Sequence, residues 1–533
     1  MVFRPFPNRA SRGLFRGMNP TTSLASMAAL VLILIPGIFY TDGLGAVLAA
    51  GRQLISPMLE WYYVGLVAFF TALMIWLGLG RYGNVRLGPD DSRPEFGLFP
   101  WIAMLFAAGT GIGLLFWSIA EPISHLDGNP FIDSARSPDG ATVALRLAFF
   151  HWGLNGWAIF AVVGLVLAYF GYRLNQPLTM RAALFPLIGE RIHGLLGHAV
   201  DTFSVLATVF GIATTLGLGV EQINRGLNHV FGLAISETNQ VIIIAVVTLI
   251  ATISVMSGLR RGVRRLSVFN IWLSLALLAF FLAVGPTNYQ MNVLVQTTGS
   301  YLQHLVEMTF YTNANGMHTW QNEWTVFFWG WWIAWSPFVG MFIARISRGR
   351  TIREYAFGVL LVPSIFTFIW IASFGGTAIH LELFGPGGIA QAVQEDVSTA
   401  LFRTIEEMTT SRVLIDLASI TAILLIAVYF ITSADSGTLV INTILSNGDP
   451  DPPRAHRLAW GLGIGVLTAI LMLAGGVATL QDAVVMAGFP FSIIILLMIT
   501  GLIRELKRER FAGRMPEKQR LAEEPWTGYD RPL

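Results

Sequence analysis

The sequence contains no cysteine and has few charged residues. Of its 533 residues only 12% are charged, whereas a soluble domain carries about 25%. So few charges would not cover the surface of a soluble protein of this length. The absence of cysteine excludes disulfides, thiolate metal centres and cysteine nucleophiles together. Lysine is almost absent as well, and a net charge of +2 gives no indication of a nucleic-acid partner.

Long apolar runs take the place of the missing charges. Apolar residues make up 54% of the chain, and the mean hydropathy is +0.62. A membrane-spanning helix needs about 20 mostly apolar residues. Twelve segments meet this requirement, at 22–40, 61–80, 97–120, 142–171, 200–219, 239–258, 267–285, 325–344, 355–377, 413–433, 457–476 and 481–502. The sequence therefore predicts an all-α membrane protein with twelve transmembrane helices.

The distribution of arginine predicts the orientation of these helices. Arginines cluster in residues 4–16, 81–93, 173–191, 260–265 and 345–353, all on one side of a twelve-span topology, whereas residues 286–324 contain no Lys or Arg. Because positive residues favour the cytoplasm, both termini are predicted to be cytoplasmic, in the inner (plasma) membrane. The first span could instead be a signal peptide, but its apolar run is too long and its removal would leave an odd number of spans.

The predicted domains follow from this count. Residues 1–21 form a cytoplasmic N-terminal tail, 22–503 the twelve-helix membrane domain, and 504–533 a cytoplasmic C-terminal tail. In the long connection 286–324, Leu302, Leu305, Val306 and Phe310 follow helical spacing and predict an interfacial helix. After two leading helices, five spans precede this connection and five follow it. Halves with odd numbers of spans must be inverted, which predicts inverted repeats at about 97–285 and 325–502.

The third span contains glycines at a spacing of two, in Gly109-Thr110-Gly111-Ile112-Gly113. Glycines that pack helices together prefer a spacing of four, although close packing remains the alternative here. A spacing of two favours an unwound segment, and freed backbone groups in a membrane are tolerated where they line a cavity. We therefore expect this segment to meet a solute.

Hydroxyl groups are concentrated at the end of the tenth span. Tyr429, Thr432, Ser433 and Ser436 fall within eight residues, together with Asp435. The hydroxyls could simply bond back to their own helix. Thr432 and Ser433 could also provide the oxygen ligands that a hard cation such as sodium prefers. We expect Asp435 to cap the next helical segment.

Two spans carry dense aromatic clusters. The eighth span places Phe327, Trp331 and Trp335 on one helical face, and the fourth contains Trp152 and Trp157 on either side of a glycine-loosened turn. Tryptophan normally lies at membrane interfaces, so clusters within spans are unusual. Packing or lipid contact would explain any single ring. Two clusters together predict a box for a quaternary ammonium group, although no carboxylate anchor for the cation is evident in these spans.

These residues resemble the betaine/choline/carnitine transporter family. The most specific stretch is FFWGWWIAWSPFVGMFIARISRGRTIRE at 327–354. Further similar stretches are AAGTGIGLLFWSIAEP (107–122), FFHWGLNGWAIF (149–160), GIATTLGLG (211–219) and TSADSG (432–437). The resemblance covers about residues 20–505. It implies the inverted-repeat fold shared with sodium-coupled amino-acid carriers, usually assembled as homotrimers.

The resemblance also implies site residues. The substrate would contact Trp152, Trp157, Phe160, Trp331, Trp332 and Trp335 through an aromatic box and the Ala108, Gly109 and Gly111 backbone at its anionic end. Sodium would be bound by backbone oxygens of Ala107, Thr110 and Tyr429 and by the hydroxyls of Thr432 and Ser433. No catalytic residue and no cofactor other than the coupling ion are expected. The box would take glycine betaine or choline.

The sequence departs from the family pattern at a few positions. Phe160 stands where many members have Tyr, and Ile212 replaces one of two threonines of a second sodium site. Gly113 is typical of sodium-coupled betaine carriers, whereas choline carriers often have Asp, yet the 211–219 stretch is closer to the choline branch. We predict a sodium-coupled importer. A proton-coupled choline importer and a sodium-independent exchanger of carnitine-like substrates remain alternatives within transport.

Other classes are less well supported. A channel would build selectivity from rings of carbonyls or charges. The nine histidines form no HExxH pattern, which disfavours a metalloenzyme. We expect His151 to be a structural or box-lining residue, with proton coupling as its alternative role.

Overall fold

The computed structural model describes residues 6, 9–109, 111–257, 262–316 and 319–512. Helices make up almost all of this part of the chain, which contains two isolated β-bridges and no β-strand. Eleven of the described helical segments are long and apolar enough to cross a membrane. An all-helical membrane protein is thus confirmed, while the twelve-helix count and the inverted repeat remain predictions.

The first half of the chain forms ten α-helices. They are α1 (Pro20–Phe39), α2 (Thr41–Leu79), α3 (Leu98–Gly109), α4 (Ile112–Asp127), α5 (Pro138–Trp152), α6 (Leu154–Ala168), α7 (Phe185–Ile188), α8 (Leu195–Phe231), α9 (Glu237–Ser257) and α10 (Gly262–Val284). The third predicted span is divided between α3 and α4, and each is too short to span alone. This division explains the difference between the twelve predicted spans and the eleven long helical segments.

The second half forms eight further helices. They are α11 (Thr287–Phe310), α12 (Phe327–Ile346), α13 (Ile352–Phe384), α14 (Ile389–Glu395), α15 (Ala400–Met408), α16 (Arg412–Leu445), α17 (Arg454–Leu473) and α18 (Gly476–Ala512). The predicted helix in the 286–324 connection is α11, which exposes Leu302, Val306 and Phe310. Several helices exceed their predicted spans, among them α8, α13 and α18.

The interior of the molecule is built from the helices that carry the aromatic clusters. In the spanning segment Pro138–Arg173, 94% of the most apolar window is buried, compared with 28% in α1. α6 and α12 approach each other closely at two glycines. A Cβ atom on Gly340 would lie 2.8 Å from Val163 Cγ1 and 3.0 Å from the Gly164 nitrogen. Small residues permit such contact between membrane helices, and here they bring the two aromatic clusters together.

Candidate functional site

The helix predicted at 97–120 is interrupted at the glycine-rich segment. α3 ends at Gly109, and α4 begins at Ile112 with Gly111 as its N-cap in an extended conformation. Thr110 lies outside the described residues, and Ala108 and Gly109 are described by their backbone alone. The first N–H groups of α4 have no partner within the helix, and the positive end of its dipole lies there. The interruption can therefore donate hydrogen bonds to an anionic group.

An aromatic cavity of about 460 Å³ lies beside this interruption. It is lined by Gly111, Gly113, Leu114, His151, Trp152, Gly156, Trp157, Phe160, Thr215, Trp331, Trp332 and Trp335. The set includes all six predicted box residues, Trp152, Trp157, Phe160, Trp331, Trp332 and Trp335, which we call the aromatic box. These rings come from α5, α6 and α12, so the structure brings together side chains almost 200 positions apart in the sequence.

The rings of the aromatic box contact one another through faces and edges. Trp331 and Trp332 are stacked, with ring centroids 4.8 Å apart. Trp152 and Phe160 meet Trp332 edge-on at 4.8 Å and 5.7 Å, and Trp157 meets Phe160 at 5.5 Å. Tryptophan faces attract a methylated ammonium group through the quadrupole of the ring. The cavity therefore has the aromatic composition that binding such a group requires.

Four of the five indole N–H groups of the aromatic box are used in two different ways. Trp152 Nε1 donates to Glu121 Oε2 at 2.8 Å, and Trp332 Nε1 donates to the His151 carbonyl at 3.1 Å. These two bonds fix the orientation of their rings. Trp331 Nε1 and Trp335 Nε1 are buried and have no hydrogen-bond partner among the described residues. Because a buried unpaired donor is costly, both groups are available to a polar part of a bound solute.

Gly113 gives the aromatic box the space that it occupies. A Cβ atom at this position would lie 2.6 Å from Trp331 Cη2 and 3.3 Å from Trp152 Cη2. No larger residue fits unless these rings move. The packing thus explains why glycine stands at this position.

A second cavity, of about 820 Å³, contains most of the predicted sodium ligands. Ala107, Tyr429, Thr432 and Ser433 all line it, together with Asn270 and Trp335 among others. Thr110, the fifth predicted ligand, is in the part of the chain that is not described. Trp335 lines both cavities, so the predicted sodium ligands lie next to the aromatic box.

The hydroxyl cluster lies inside a continuous helix rather than at its end. The tenth span was predicted to stop at 433, but α16 continues to Leu445. Thr432 Oγ1 bonds back to the Val428 and Tyr429 carbonyls at 3.0 Å and 3.2 Å. Those bonds use the hydroxyl proton, and the oxygen's remaining lone pair can still bind a cation.

The prediction that Asp435 caps a helical segment is wrong. This residue lies within α16 and is only 2% exposed, and in the described part of the chain neither of its carboxylate oxygens has a hydrogen-bond partner. The helix continues through Asp435 because α8, α9 and α17 pack around it and replace the solvent that would favour a break.

The sequence analysis missed a buried carboxylate next to the aromatic box. Glu121 lies just beyond the third predicted span, which ends at 120, but α4 extends through it to Asp127, and its side chain is fully buried. It bonds to His125, His151 and Trp152. The fourth and eighth spans show no carboxylate for the cation, and the structure provides one from α4 instead. The signal was the apolar helical pattern that continues beyond Pro122 to Ile123 and Leu126.

The fold and the site define a multi-pass membrane protein with an aromatic solute cavity at an interrupted helix. Its sequence matches the BCCT, betaine/carnitine/choline family transporter, over residues 21–511. The chain belongs to this family, so the predicted resemblance is confirmed. It is a transporter rather than an enzyme, because the family and its named relatives are transporters.

Relatives named as glycine betaine transporters or as choline transport proteins match nearly the whole chain. The chain is 42% identical over 484 residues to the glycine betaine transporter OpuD of Bacillus subtilis, and this match covers 90% of this chain and 93% of that protein. A glycine betaine transporter of Acinetobacter baylyi is 41% identical over 92% of this chain and 74% of its own length. The high-affinity choline transport protein of Escherichia coli K12 is 39% identical over 93% of this chain and 73% of its own length.

Proposed function

We propose that this protein imports a quaternary ammonium compatible solute, glycine betaine or choline, by alternating access, with sodium as the coupling ion. The observation that carries the proposal is the aromatic box beside the interrupted helix. The names of the relatives support the same class of substrate.

The aromatic box suits a quaternary ammonium group for a physical reason. A trimethylammonium group has no N–H to donate, so hydrogen-bond acceptors give it little. Each contact with an aromatic face contributes about 0.5–2 kcal/mol, and more in a desolvated site. Trp332 contacts Trp152, Phe160 and Trp331 and so lies at the centre of the ring contacts. We therefore assign Trp332 the largest share of cation binding.

The interrupted helix suits the other end of the same solute. The Gly111 backbone and the first N–H groups of α4 lie on the cavity wall. They can bind the carboxylate of glycine betaine or the hydroxyl of choline. We include Ala108 and Gly109, on the other side of the interruption, in this proposed contact.

The second cavity supports sodium as the coupling ion. Backbone oxygens of Ala107, Thr110 and Tyr429 with the hydroxyls of Thr432 and Ser433 would give five oxygen ligands, which suit a hard cation. Gly113 supports the same choice, since the carboxylate common at this position in choline carriers does not fit against Trp331. Sodium bound here would steady the interrupted segment and so raise the affinity for the solute.

The proposal extends to location and assembly. The arginine distribution supports cytoplasmic termini in the inner membrane of the cell. The resemblance implies a homotrimer, and the exposed apolar side chains of α11 offer a surface that lipid or a neighbouring subunit would cover.

Uptake into proteoliposomes tests the function and the coupling ion together. Labelled glycine betaine and labelled choline are offered under an imposed sodium gradient or an imposed proton gradient. We expect accumulation of glycine betaine that requires sodium. Accumulation driven by protons alone, with preference for choline, would instead establish the proton-coupled alternative. Exchange without any ion gradient would establish the exchanger.

Trp332→Leu tests the aromatic box. Losing the central ring removes its cation–π contact and the ring against which Trp152, Phe160 and Trp331 pack, so we expect the apparent KM to rise at least tenfold while the protein still inserts and purifies. Trp61→Leu is the matched control, since Trp61 is 67% exposed on α2 and distant in sequence from both clusters. Uptake by Trp332→Leu that matches the control would rule out the assignment.

A further inference from the structure

A fully buried group of ionisable side chains lies directly behind the aromatic box. Glu121, His125 and His151 are each 0% exposed. His151 Nδ1 lies 2.6 Å from Glu121 Oε1, and His125 Nε2 lies 3.3 Å from the same oxygen. We call these three residues the Glu–His cluster. Ionisable groups inside a membrane protein are costly, so a fully buried set calls for a functional explanation.

The surrounding hydrogen bonds determine where the protons are. Trp320 donates its indole N–H to His125 Nδ1 at 3.3 Å, so His125 carries its own proton on Nε2 and donates to Glu121. Trp152 donates to the second Glu121 oxygen. An ionised Glu121 therefore accepts bonds from three ring N–H groups, from His125, His151 and Trp152. With both histidines neutral the cluster carries one negative charge.

The remaining nitrogen of the cluster can hold one additional proton. His151 Nε2 lies 3.1 Å from Thr325 Oγ1, which in turn lies 3.4 Å from Gln321 Oε1. When Nε2 is unprotonated, the Thr325 hydroxyl donates to it. When Nε2 is protonated, it donates to Thr325, whose hydroxyl turns to Gln321. The same heavy-atom positions satisfy the hydrogen bonds of both protonation states. The cluster can therefore change its charge from −1 to 0 without moving a side chain.

Other charged groups do not compensate this charge locally. α4 packs against α5, α8, α13, α14, α15 and α16. α5, which carries His151, packs also against α6 and α11, where His304 bonds to the Ser300 carbonyl and Glu307 lies near Arg146. In the described part of the chain, no titratable side chain on these helices outside the cluster is within hydrogen-bond distance of Glu121, His125 or His151. Glu382 of α13 pairs with Arg136, Arg225 of α8 pairs with Asp396, Arg403 of α15 pairs with Glu406 and Glu407, and Arg146 of α5 bonds to Ser300.

The cluster is connected to the aromatic box at two points. Glu121 holds the Trp152 indole, and the Trp152 ring contacts both Trp331 and Trp332. His151 itself lines the cavity. A quaternary ammonium group in the aromatic box would be separated from the carboxylate by little more than the Trp152 ring. Across a single ring, and with little water between them, the ammonium group and the Glu121 carboxylate attract each other strongly.

We propose that the Glu–His cluster is a proton-binding site linked to occupancy of the aromatic box. The inference rests on the proposed function. With its proton bound the cluster is neutral and the box has low affinity; with its proton released the cluster is negative and the box has high affinity. Binding of the permanently charged ammonium group therefore releases one proton from His151 Nε2 through the cavity to water, and no bond other than this N–H bond changes.

The experiment measures choline and glycine betaine binding to the purified protein between pH 5 and pH 8.5. Calorimetry in buffers of different ionisation enthalpy gives the number of protons released. On the acidic side we expect the Kd to rise by up to about tenfold per pH unit, with release approaching one proton per solute. Binding with a pH-independent Kd and no proton release would overturn the inference and leave the proposed function intact. If wild-type protein neither binds nor transports either solute, the proposed function itself fails.

Glu121→Gln identifies the group responsible. Glutamine keeps an acceptor for Trp152 and loses the charge, so we expect about tenfold or more weaker binding near neutral pH and a flat pH profile. His380→Gln on α13 is the matched control and should keep the wild-type profile, because its ring packs against Tyr289 and Phe384 far along α13 from the box. Asp435→Asn should also keep the profile. A wild-type profile in Glu121→Gln would refute the proton site.

Discussion

Adding a single methyl group to Gly113 should disable the aromatic box. In Gly113→Ala the new Cβ would lie 2.6 Å from Trp331 Cη2, where ordinary contact begins at 3.4 Å. The Trp331 ring has little freedom to retreat. It is stacked between Trp332, at 4.8 Å, and Phe327, at 5.5 Å. The new Cβ cannot move away either, because the Trp152 ring lies 3.3 Å from it.

The expected magnitude follows from this overpacking. Forcing an extra methyl group into a packed site costs about 1–3 kcal/mol. If the rings must recover their positions to bind the ammonium group, the same cost appears in affinity, as a Kd for glycine betaine or choline raised about 5- to 150-fold. The assay is a binding titration on the purified protein, followed by the change in tryptophan fluorescence and checked by uptake.

Gly65→Ala provides the matched control for Gly113→Ala. A Cβ on Gly65 would meet no atom within 4 Å, so this variant should bind like the wild type. If Gly113→Ala binds with an unchanged Kd, the rings move freely and the described packing does not determine affinity. If Gly113→Ala fails to purify while Gly65→Ala purifies normally, the added methyl group lowers the stability of the protein rather than its affinity.

Two further variants test the second cavity and a buried ion pair. Thr432→Val removes a proposed sodium ligand and should raise the sodium concentration for half-maximal uptake at least tenfold. Thr421→Val is the control and should leave this concentration unchanged, since its hydroxyl makes the same bond to its own helix earlier on α16. Equal effects of the two variants would contradict the proposed sodium site. Asp201→Asn leaves the fully buried Arg181 guanidinium without its anionic partner at 2.7 Å, while its bonds to His198 and Asn447 remain. We expect this to destabilise the protein by about 3–5 kcal/mol, measured as a lower melting temperature. An unchanged melting temperature would show that the pair is dispensable.

The aromatic box was predictable because its pattern is local. Trp331 and Trp335 are four residues apart on one helix, and Trp152 and Trp157 lie within one short segment, so each half is visible in the sequence. That the halves face each other followed from the family resemblance. The contact itself depends on the close approach of α6 and α12 at Gly164 and Gly340, which spacing alone does not reveal.

Glu121 was missed for a related reason. A charged residue followed by proline ends an apolar run, and by hydropathy alone it marks the start of a loop. In the structure the helix continues, because His125, His151 and Trp152 provide the partners that Glu121 needs inside the protein. Two of these partners lie on another helix, so the reason for burying the carboxylate appears only after folding.

The proposed coupling between sodium and solute has a simple structural basis. Ala107 lines the second cavity and Gly111 lines the aromatic cavity, so the two sites contact the same interrupted segment only four residues apart. Trp335 lines both cavities as well. Whichever ligand binds first orders part of this shared wall, and the second ligand then meets a wall that is already ordered. Linkage requires the effect to be reciprocal: sodium raises the affinity for the solute by the same factor by which the solute raises the affinity for sodium. The proposed effect of the Glu–His cluster on the aromatic box runs through Trp152. In this arrangement a bound proton lowers the affinity of the aromatic box for the solute, and bound sodium raises it. The two cations act through different residues of the cavity wall.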